Sequence, residues 1–342
     1  MTKIRVLVVD DSAFARKVVR EVLQETDDIE VVGIARDGLD ALEKISQLSP
    51  DVITLDLVMP DLDGLGVLRE LATRDAPPRV VIVSMTDGDS ELGVAALQAG
   101  AFDVVHKPTA IATDRLYELG EDLRAKVREA ARATSTSPRT AQVVPVAAAS
   151  LRVTTADLVV IGASTGGPQA ISRLLSALPK AFPVPVAVVL HMPPGYTAAL
   201  AARLDSECAL DVLEAREDLL LCPGRVVIAR AGMHLKLVRD GTSIRAHLDV
   251  MPLETPHRPA VDVLFATAAE AWGARVLGVV LTGMGNDGVV GGRAIHQRGG
   301  RILTESESSC VVYGMPRAVV EAGLSSAEAP IELMAALIAA KL

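Results

Sequence analysis

A serine flanked by glycines follows an apolar, strand-like run in the sequence DLVVIGASTGGPQA, residues 157–170. The spacing of Gly162, Ser164 and Gly166 matches G-x-S-x-G, the pattern of a strand-to-helix turn that exposes a nucleophilic hydroxyl. Glycines allow a strained backbone at such a turn and leave room for a substrate. By itself the pattern is nearly as typical of a phosphate-binding loop, or of an ordinary connection, as of a nucleophile.

Two features of the surrounding sequence disfavour a phosphate-binding loop. No Lys-Ser or Lys-Thr pair follows the glycines, as a P-loop would require. The next strand-like run, VAVVLHMP, leads into His191 and does not end in an acidic residue that could bind a ribose. A serine nucleophile is therefore the hypothesis to be tested against the rest of the sequence.

Two further side chains are predicted to meet Ser164 at one edge of a sheet. His191 ends the strand after that of the serine, and Asp287 follows the run RVLGVVL in the glycine-rich loop LTGMGNDG. Because the carboxyl ends of parallel strands share one edge, the hydroxyl, the imidazole and the carboxylate are expected to converge there. Acyl transfer requires these three parts: a nucleophile, a base, and a group that fixes the tautomer of the base.

A lone histidine after a strand is more often structural than catalytic, so the triad hypothesis depends on all three residues together. The chain order Ser, His, Asp differs from the Ser, Asp, His order of α/β-hydrolases, which predicts another hydrolase fold. The remaining histidines have weaker placements. His257, in PHRPAVD, could line the site but is interpreted as loop structure, and the others are His106, His234, His247 and His296.

A second group of chemically active residues lies at strand ends in the first half of the chain: Asp10, Asp11, Asp56, Ser84 and Lys107. Clustered carboxylates repel one another, and a hard divalent cation such as Mg²⁺ removes that cost. Acids, a hydroxyl and an ammonium on one rim suit phosphoryl transfer onto a carboxylate. One such aspartate alone would more readily be a turn or capping residue, but five matching positions favour the functional interpretation.

Strand-like and helical segments alternate along both halves, which predicts α/β architecture with parallel sheets. Ser12 is placed to cap the first helix. The second half resumes the alternation at Asp157 and adds a β-hairpin around Asp240-Gly241. A long polar helix and the segment 134–150, rich in small residues and prolines, separate the halves and predict a linker. The five strand-like runs of the first half are IRVLVV, EVVGIA, DVITLDL, RVVIVS and FDVVHK.

Composition limits the classes to which the chain can belong. Its 342 residues favour two domains, and 50% of them are hydrophobic, which is enough to fill sizeable cores. The formal net charge of -9 disfavours a nucleic-acid partner. Cys208, Cys222 and Cys310 lack the spacing of a disulfide framework or a zinc site. Neither a signal peptide nor an apolar run of about 18 residues is recognisable, so a soluble cytoplasmic protein is predicted.

The first half resembles the response-regulator receiver domain over almost its whole length. The resemblance rests on the paired aspartates after the first strand, on DLVMPDLDG, on the serine ending the fourth strand and on the Lys-Pro pair after the fifth. It implies a flavodoxin-like, five-stranded parallel domain. It also implies a Mg²⁺ site formed by the carboxylates of Asp10, Asp11 and Asp56 and the backbone carbonyl of Val58.

Further roles follow from the same resemblance. Asp56 is implied to be the phosphoacceptor, with Ser84 and Lys107 supporting its phosphorylation. The bond before Pro108 is expected to be cis, as in relatives. One position departs from the family, because Val104 stands where an aromatic switch residue is usual. The departure puts aromatic rotamer switching in doubt for this chain.

The second half resembles the catalytic domain of the chemotaxis protein-glutamate methylesterases from residue 157 to 342. Ser164, His191 and Asp287 correspond to the family's triad, and the backbone amide of Met284 to its oxyanion-hole donor. The implied domain is a doubly wound, mostly parallel α/β structure. The motifs that carry the resemblance are IGASTGGPQA, LHMPPGYT, HRPAVDVLF, LTGMGNDG and YGMPRA.

Together the resemblances imply a receiver domain over 1–124, a helix end and linker over 125–155, and a methylesterase domain over 156–342. The implied protein is a phosphorylation-activated serine hydrolase of the two-component type. It would demethylate glutamate γ-methyl esters, and deamidate glutamines, on methyl-accepting chemoreceptors for chemotactic adaptation.

The resemblance also implies partners and cofactors. A chemotaxis histidine kinase would be the phosphodonor, Mg²⁺ would be needed for phosphorylation, and ester hydrolysis would need no cofactor. No nucleic acid is expected, and the membrane would be met only through the receptors. Two alternatives stay open on the residues alone: a receiver fused to a non-catalytic binding module, and a hydrolase that acts on another ester.

Overall fold

The computed structural model describes residues 3–84, 90–107, 113–133 and 156–342, and the side chains of residues 113–119 lie outside that description. The chain divides into two compact units, Met1–Ser135 and Thr136–Leu342. Most of the predicted linker falls outside the described residues, as does Pro108 with its predicted cis bond. The domain boundaries at 124 and 156 remain predictions.

The first unit is built on one five-stranded parallel sheet. Its strand order, β2-β1-β3-β4-β5, is flavodoxin-like and confirms the predicted fold. Its elements are β1 (Ile4–Val9), α1 (Ala13–Gln24), β2 (Ile29–Ala35), α2 (Gly38–Leu48), β3 (Val52–Leu55), α3 (Gly64–Leu71), β4 (Arg79–Ser84), α4 (Ser90–Gln98), β5 (Asp103–His106) and α5 (Thr113–Arg132).

Strand pairing in this unit brings its acidic residues together. Val9, the last residue of β1, pairs with Leu55, the last residue of β3. Asp10 and Asp56, one position further along, therefore lie side by side at the carboxyl edge of the sheet. Ser12 caps α1 as predicted, because its hydroxyl accepts a hydrogen bond from the Ala15 amide.

The second unit contains a seven-stranded sheet in which every described pair of strands is parallel, and a separate three-stranded antiparallel sheet. Its elements are β6 (Leu158–Ala163), α6 (Gly167–Ser176), β7 (Val186–Leu190), α7 (Tyr196–Glu207), β8 (Asp211–Glu214), β9 (Leu220–Leu221), β10 (Arg225–Ile228), β11 (His234–Asp240), β12 (Ser243–Asp249), α8 (Val261–Trp272), a short 3-10 helix (Gly273–Arg275), β13 (Val276–Val280), α9 (Val289–Gln297), β14 (Arg301–Glu305), α10 (Met315–Glu321), β15 (Ala327–Ala329) and α11 (Ile331–Ala339).

The large sheet has the order β15-β14-β13-β6-β7-β10-β8. β6 is its central strand, with β7 on one side and β13 on the other, so the direction in which strands are added reverses at β6. Ligands of open α/β sheets bind at such a reversal, beyond the carboxyl ends of the strands. Ser164 follows β6, His191 follows β7, and the loop with Asp287 follows β13. These are the three adjacent central strands, so the topology places the predicted triad at the reversal.

The small sheet contains the predicted hairpin. β11 and β12 are antiparallel, and Asp240 pairs with Ser243 across the turn. Helix α8 contributes Leu264 and Phe265 to a core that also includes Val160 of the large sheet and Leu235 of the hairpin. Within the described residues, no helix is both long and apolar enough to cross a membrane.

Candidate active site

The Ser164 turn is a tight connection between β6 and α6. The Gly167 amide donates a 2.7 Å hydrogen bond to the Ser164 carbonyl, and the Ser164 amide donates one of 3.0 Å to the Thr282 carbonyl. Gly166 has φ of 79°, and a Cβ atom there would lie 2.5 Å from Cβ of Val311. Only glycine satisfies both constraints, which explains its place two residues after the serine.

His191 directly follows β7, the strand next to that of the serine. Ala163 pairs with Leu190 across β6 and β7, and the His191 amide donates a 3.2 Å hydrogen bond to the Ala163 carbonyl. Nε2 of His191 lies 2.9 Å from Oδ2 of Asp287. The structure thus joins the predicted imidazole and carboxylate directly. Ser164 is one residue beyond the paired Ala163, but no hydrogen bond between its side chain and His191 is present in the described structure.

The amino terminus of α8 holds the Asp287 carboxylate. The Val261 amide donates to Oδ2 of Asp287 at 2.7 Å, and the Asp262 amide donates to Oδ1 at 2.8 Å. Burial raises the pKa of Asp287, but the hydrogen bond from His191 and these two amides outweigh it, so the pKa lies below its usual range. Asp287 is therefore ionised at neutral pH and acts as an acceptor towards His191.

Asp262 makes the reciprocal contact with the next helix. Its Oδ1 accepts hydrogen bonds from the amides of Gly288 (2.9 Å) and Gly291 (2.8 Å) at the start of α9. A Cβ atom at Gly291 would lie 2.5 Å from the Asp262 carbonyl oxygen, so the two helices are in close contact. Burial and the nearby negative charge of Asp287 raise the pKa of Asp262. The pair fixes the loop that carries Asp287.

The hydrogen bond to Asp287 determines the tautomer of His191. An ionised carboxylate only accepts hydrogen bonds, so in the neutral ring the proton resides on Nε2 and Nδ1 carries the lone pair. Nδ1 is buried and has no hydrogen-bond partner in the described structure. It is therefore the nitrogen left to accept a proton.

His257 stacks on His191, with ring centroids 4.0 Å apart and an interplanar angle of 22°. The interpretation of His257 as loop structure missed this contact. Its loop is held by His234, whose Nδ1 accepts the Ala260 amide at 3.2 Å and whose Nε2 lies 3.0 Å from the Pro252 carbonyl oxygen. Burial lowers the pKa of His234, which matches a neutral ring bonded in this way.

The loop after β13 passes directly beside the serine. A Cβ atom at Gly283 would lie 2.8 Å from Cβ of Ser164 and 2.5 Å from Sδ of Met315, so only glycine fits there. The next residue is Met284, whose side chain is exposed. The Met284 amide donates to no acceptor among the described residues, so it is available to a ligand, as the prediction for an oxyanion donor requires.

The acidic cluster of the first unit is tied together by Lys107. Its Nζ lies 2.6 Å from Oδ2 of Asp10 and 2.6 Å from Oδ2 of Asp56. Burial lowers the pKa of Lys107, but hydrogen bonds to these two carboxylates outweigh it and the pKa is raised. Burial and the neighbouring charge of Asp10 raise the pKa of Asp56 despite the hydrogen bond from Lys107. The cluster is thus an ammonium enclosed by acids at the sheet edge.

The same edge carries the other residues predicted for phosphorylation. Asp10, Asp11 and Asp56 each offer one carboxylate oxygen, and these oxygens lie within 4.8 Å of one another. Ser84 is buried at the end of β4, and its carbonyl accepts the Lys107 amide at 2.8 Å. Val58 is exposed beside the cluster in sequence. Oxygen donors at this spacing fit a hard divalent cation.

Comparison with known proteins assigns each half of the chain to a family. Residues 159–338 match the family model described as CheB methylesterase, and residues 6–118 match that of the response regulator receiver domain. The chain belongs to the CheB methylesterase family. It is 62% identical over 340 residues to a protein-glutamate methylesterase/protein-glutamine glutaminase of Myxococcus xanthus, covering 99% of this chain and 98% of the relative.

Other members of the CheB family are similar over comparable lengths. A protein of the same name from Symbiobacterium thermophilum is 45% identical, with 97% of this chain and 95% of the relative covered. The crystal structure of the Thermotoga maritima CheB methylesterase catalytic domain superposes with a TM-score of 0.54 and 39% identity, covering 55% of this chain and all of that one. The family assignment therefore rests on nearly the whole chain.

For this CheB-family chain, several supporting residues escaped the sequence analysis. Asp262 lay inside a quoted motif, HRPAVDVLF, and its place in the first turn of a helix was a usable signal. Thr282 opens the LTGMGNDG loop and contacts the serine turn. His257 was considered and assigned to loop structure. Their roles depend on contacts between distant segments, which no local pattern displays.

Proposed function

We propose that this chain is a phosphorylation-activated protein-glutamate methylesterase that also deamidates glutamine. Its substrates are methylated glutamates on chemoreceptors, and it acts in the cytoplasm during chemotactic adaptation. The observation that carries the proposal is the hydrogen bond from His191 to Asp287, one strand from Ser164, in a chain that belongs to the CheB methylesterase family. The names of its relatives supply the substrate class.

Acylation assigns one role to each side chain. The Ser164 hydroxyl attacks the γ-carbonyl carbon of the methyl ester, and His191 accepts the serine proton on Nδ1. Asp287 stabilises the imidazolium that forms and keeps Nε2 protonated. The Met284 amide donates a hydrogen bond to the oxyanion, an interaction of about 3–4 kcal/mol per donor in other hydrolases.

Collapse of the tetrahedral intermediate breaks the bond to the methoxy group. His191 returns the proton to the departing oxygen, so methanol leaves and Ser164 carries the glutamyl group as an ester. Water then attacks the same carbonyl with His191 as base, which frees glutamate and restores the serine. With a glutamine substrate the same steps release ammonia, because His191 protonates the departing nitrogen.

The receiver domain supplies control through Asp56. Asp10, Asp11 and Asp56, with the Val58 carbonyl, would hold Mg²⁺, which when bound neutralises charge on the phosphoryl oxygens. Lys107 already bonds to the Asp56 carboxylate, so it is in place to pair with the phosphoryl group that forms there. The Ser84 hydroxyl would bind a further oxygen. The phosphodonor in the cell is a chemotaxis histidine kinase.

Asp56→Asn is expected to remove the stimulation of esterase activity by acetyl phosphate and Mg²⁺. The asparagine amide cannot take the phosphoryl group, so the ratio of rates with and without acetyl phosphate should fall to about one. A matched control is Asp63→Asn, because asparagine caps α3 as well as the present Asp63 does. Methanol release with and without the phosphodonor measures the ratio. Undiminished stimulation of Asp56→Asn would exclude Asp56 as the acceptor.

Methanol release from receptor-containing membranes tests the substrate assignment. Membranes whose receptors carry isotopically labelled methyl groups are incubated with the full chain, acetyl phosphate and Mg²⁺. We expect labelled methanol in the volatile fraction and a matching loss of label from the receptor. Retention of all label, by a chain that still reacts with a serine-directed phosphonate, would show a hydrolase with a different substrate.

A further inference from the structure

Glu305 is a buried carboxyl with no part in the mechanism above. It ends β14 and is 1% exposed. Its Oε2 accepts a 2.8 Å hydrogen bond from the Thr282 amide, and its Oε1 accepts one of 2.8 Å from the Ser309 hydroxyl. Burial raises its pKa to about 7. Burying a carboxyl costs free energy. The groups to which Glu305 is hydrogen-bonded therefore indicate its role in the fold.

Thr282, which Glu305 holds, connects three segments at the serine turn. Its carbonyl accepts the Ser164 amide at 3.0 Å, and its hydroxyl donates to the Thr165 carbonyl at 2.9 Å. The same hydroxyl accepts the Val312 amide at 3.0 Å. Thr282 is 1% exposed, so water does not compete for these bonds. A displacement of Thr282 would therefore move the nucleophile turn itself.

Thr282 also begins the loop that leads to the proposed oxyanion donor. A Cβ atom added to Gly283 would lie 2.8 Å from Cβ of Ser164, and Met284 follows Gly283 directly. The carbonyl of Gly283 accepts the amides of Gly314 (3.1 Å) and Met315 (2.8 Å). The Thr282 amide that Glu305 holds is thus two residues before Met284, whose amide meets the oxyanion. Glu305 is two hydrogen bonds away from the Ser164 backbone, through the amide and the carbonyl of Thr282.

We infer that Glu305 is a positioning residue that sets the distance between the Ser164 hydroxyl and the Met284 amide by holding the Thr282 amide. This inference rests on the hydrolase chemistry proposed above. A hydrogen bond in a buried site is electrostatically stronger than one exposed to water, which suits a fixed anchor. An error of about 1 Å in the placement of reacting groups lowers rates by about 100-fold.

Among the described residues, Glu305 forms no salt bridge. A purely structural ion pair therefore does not explain its burial. Glu332 of α11 raises its pKa, and Arg173 of α6 lowers it, but these two residues pair with each other at 3.6 Å. Cys310, on the following segment, is a neutral thiol whose pKa is raised by burial and by Glu305. In the described part of the chain, the Thr282 amide and the Ser309 hydroxyl donate hydrogen bonds to the two carboxyl oxygens.

The test compares Glu305→Gln with Glu305→Leu in the full chain. Glutamine keeps an acceptor for the Thr282 amide, whereas leucine fills the space without one. The probe is a fluorophosphonate ester, which forms an O–P bond with Ser164 as fluoride leaves and the serine proton passes to His191. Its rate constant reports nucleophile and oxyanion geometry without any receptor. Glu214→Leu is the matched control, since Glu214 ends β8 and accepts the Thr197 hydroxyl at 2.7 Å, far along the sheet.

We expect Glu305→Gln to react within about threefold of the wild type and Glu305→Leu to react about 10- to 100-fold more slowly. With receptor membranes, kcat should fall in parallel while KM stays within about twofold, because the change lies behind the reacting groups. Glu214→Leu should keep the wild-type rate even if its melting temperature falls. A folded Glu305→Leu that reacts as fast as the wild type would overturn the inference.

A second variant covers the case in which Glu305→Leu does not fold. Glu305→Asp keeps a carboxyl at this position but is one methylene shorter, so its oxygens are drawn away from the Thr282 amide. The inference predicts that Glu305→Asp is phosphonylated more slowly than Glu305→Gln, although only the aspartate keeps the carboxyl. Equal rates for these two variants would overturn it. Normal phosphonylation of the wild type without methanol release from receptors would instead contradict the proposed substrate and leave the positioning role standing.

Discussion

Replacing Ser164 by alanine is expected to reduce methyl-ester hydrolysis by at least about 10⁴-fold, because the reaction loses its nucleophile. The oxyanion donor and the binding surface remain, so a small residual rate above the uncatalysed reaction should persist. Labelled methanol release from receptor membranes measures the loss.

The same substitution should leave the fold unchanged. The Ser164 amide and carbonyl make the backbone hydrogen bonds of the turn, and alanine keeps both. The side-chain oxygen makes no hydrogen bond to another described residue, so the free energy of unfolding should change by less than about 0.5 kcal/mol. Ser176→Ala, at the far end of α6, is the matched control and should hydrolyse as the wild type does. Ser164→Ala with more than a tenth of the wild-type rate would exclude Ser164 as the nucleophile.

Asp287→Asn is expected to lower kcat by about 10³- to 10⁴-fold. The carboxylate accepts three hydrogen bonds, from Nε2 of His191 and from the amides of Val261 and Asp262. Asparagine has only one acceptor oxygen, so its side-chain NH2 group must face at least one of these donors. If the amide faces His191, the ring must present a lone pair on Nε2, and Nδ1 can no longer accept the serine proton.

A control separates this effect from loss of stability. Asp205→Asn also replaces a carboxylate that accepts a backbone amide, that of Val212 at 2.9 Å, but it lies away from the triad. Both variants should lose about 1 kcal/mol of stability from the weakened amide contacts. Only Asp287→Asn should lose kcat when both are assayed well below their melting temperatures. A normal kcat for folded Asp287→Asn would remove Asp287 from the mechanism.

The sequence predicted the sheets well because strands and helices alternate with clear boundaries. The runs IRVLVV and RVVIVS became β1 and β4 with the bounds expected, and the turn at Asp240-Gly241 closed the hairpin of β11 and β12. Helix α10 and strand β15 were not predicted. With seven and three residues, they are too short to show a periodic pattern.

The predicted site residues were found through one rule, that polar groups after buried strands share an edge of the sheet. That rule placed His191 beside Asp287 and Lys107 beside Asp10 and Asp56. Applied consistently, it would also have singled out Glu305, an acid at the end of a buried strand. Glu305 lies outside the five motifs that carry the resemblance of the second half.

Other contacts had no sequence signal. The stacking of His257 on His191 depends on the path of the loop after β12, which His234 fixes from a position more than twenty residues away. The reciprocal bonds of Asp262 and Asp287 need two helices to begin at the same point in space. Such contacts follow from tertiary packing of segments that are individually irregular.

The most direct test of the account is to identify the residue that becomes covalently modified. The full chain is treated with a limiting amount of fluorophosphonate, digested and analysed by tandem mass spectrometry. The account predicts one adduct, on Ser164, that forms far more slowly in His191→Ala and is absent from Ser164→Ala. A fully folded wild-type chain that is unmodified at Ser164, or that reacts there equally fast without His191, would contradict it.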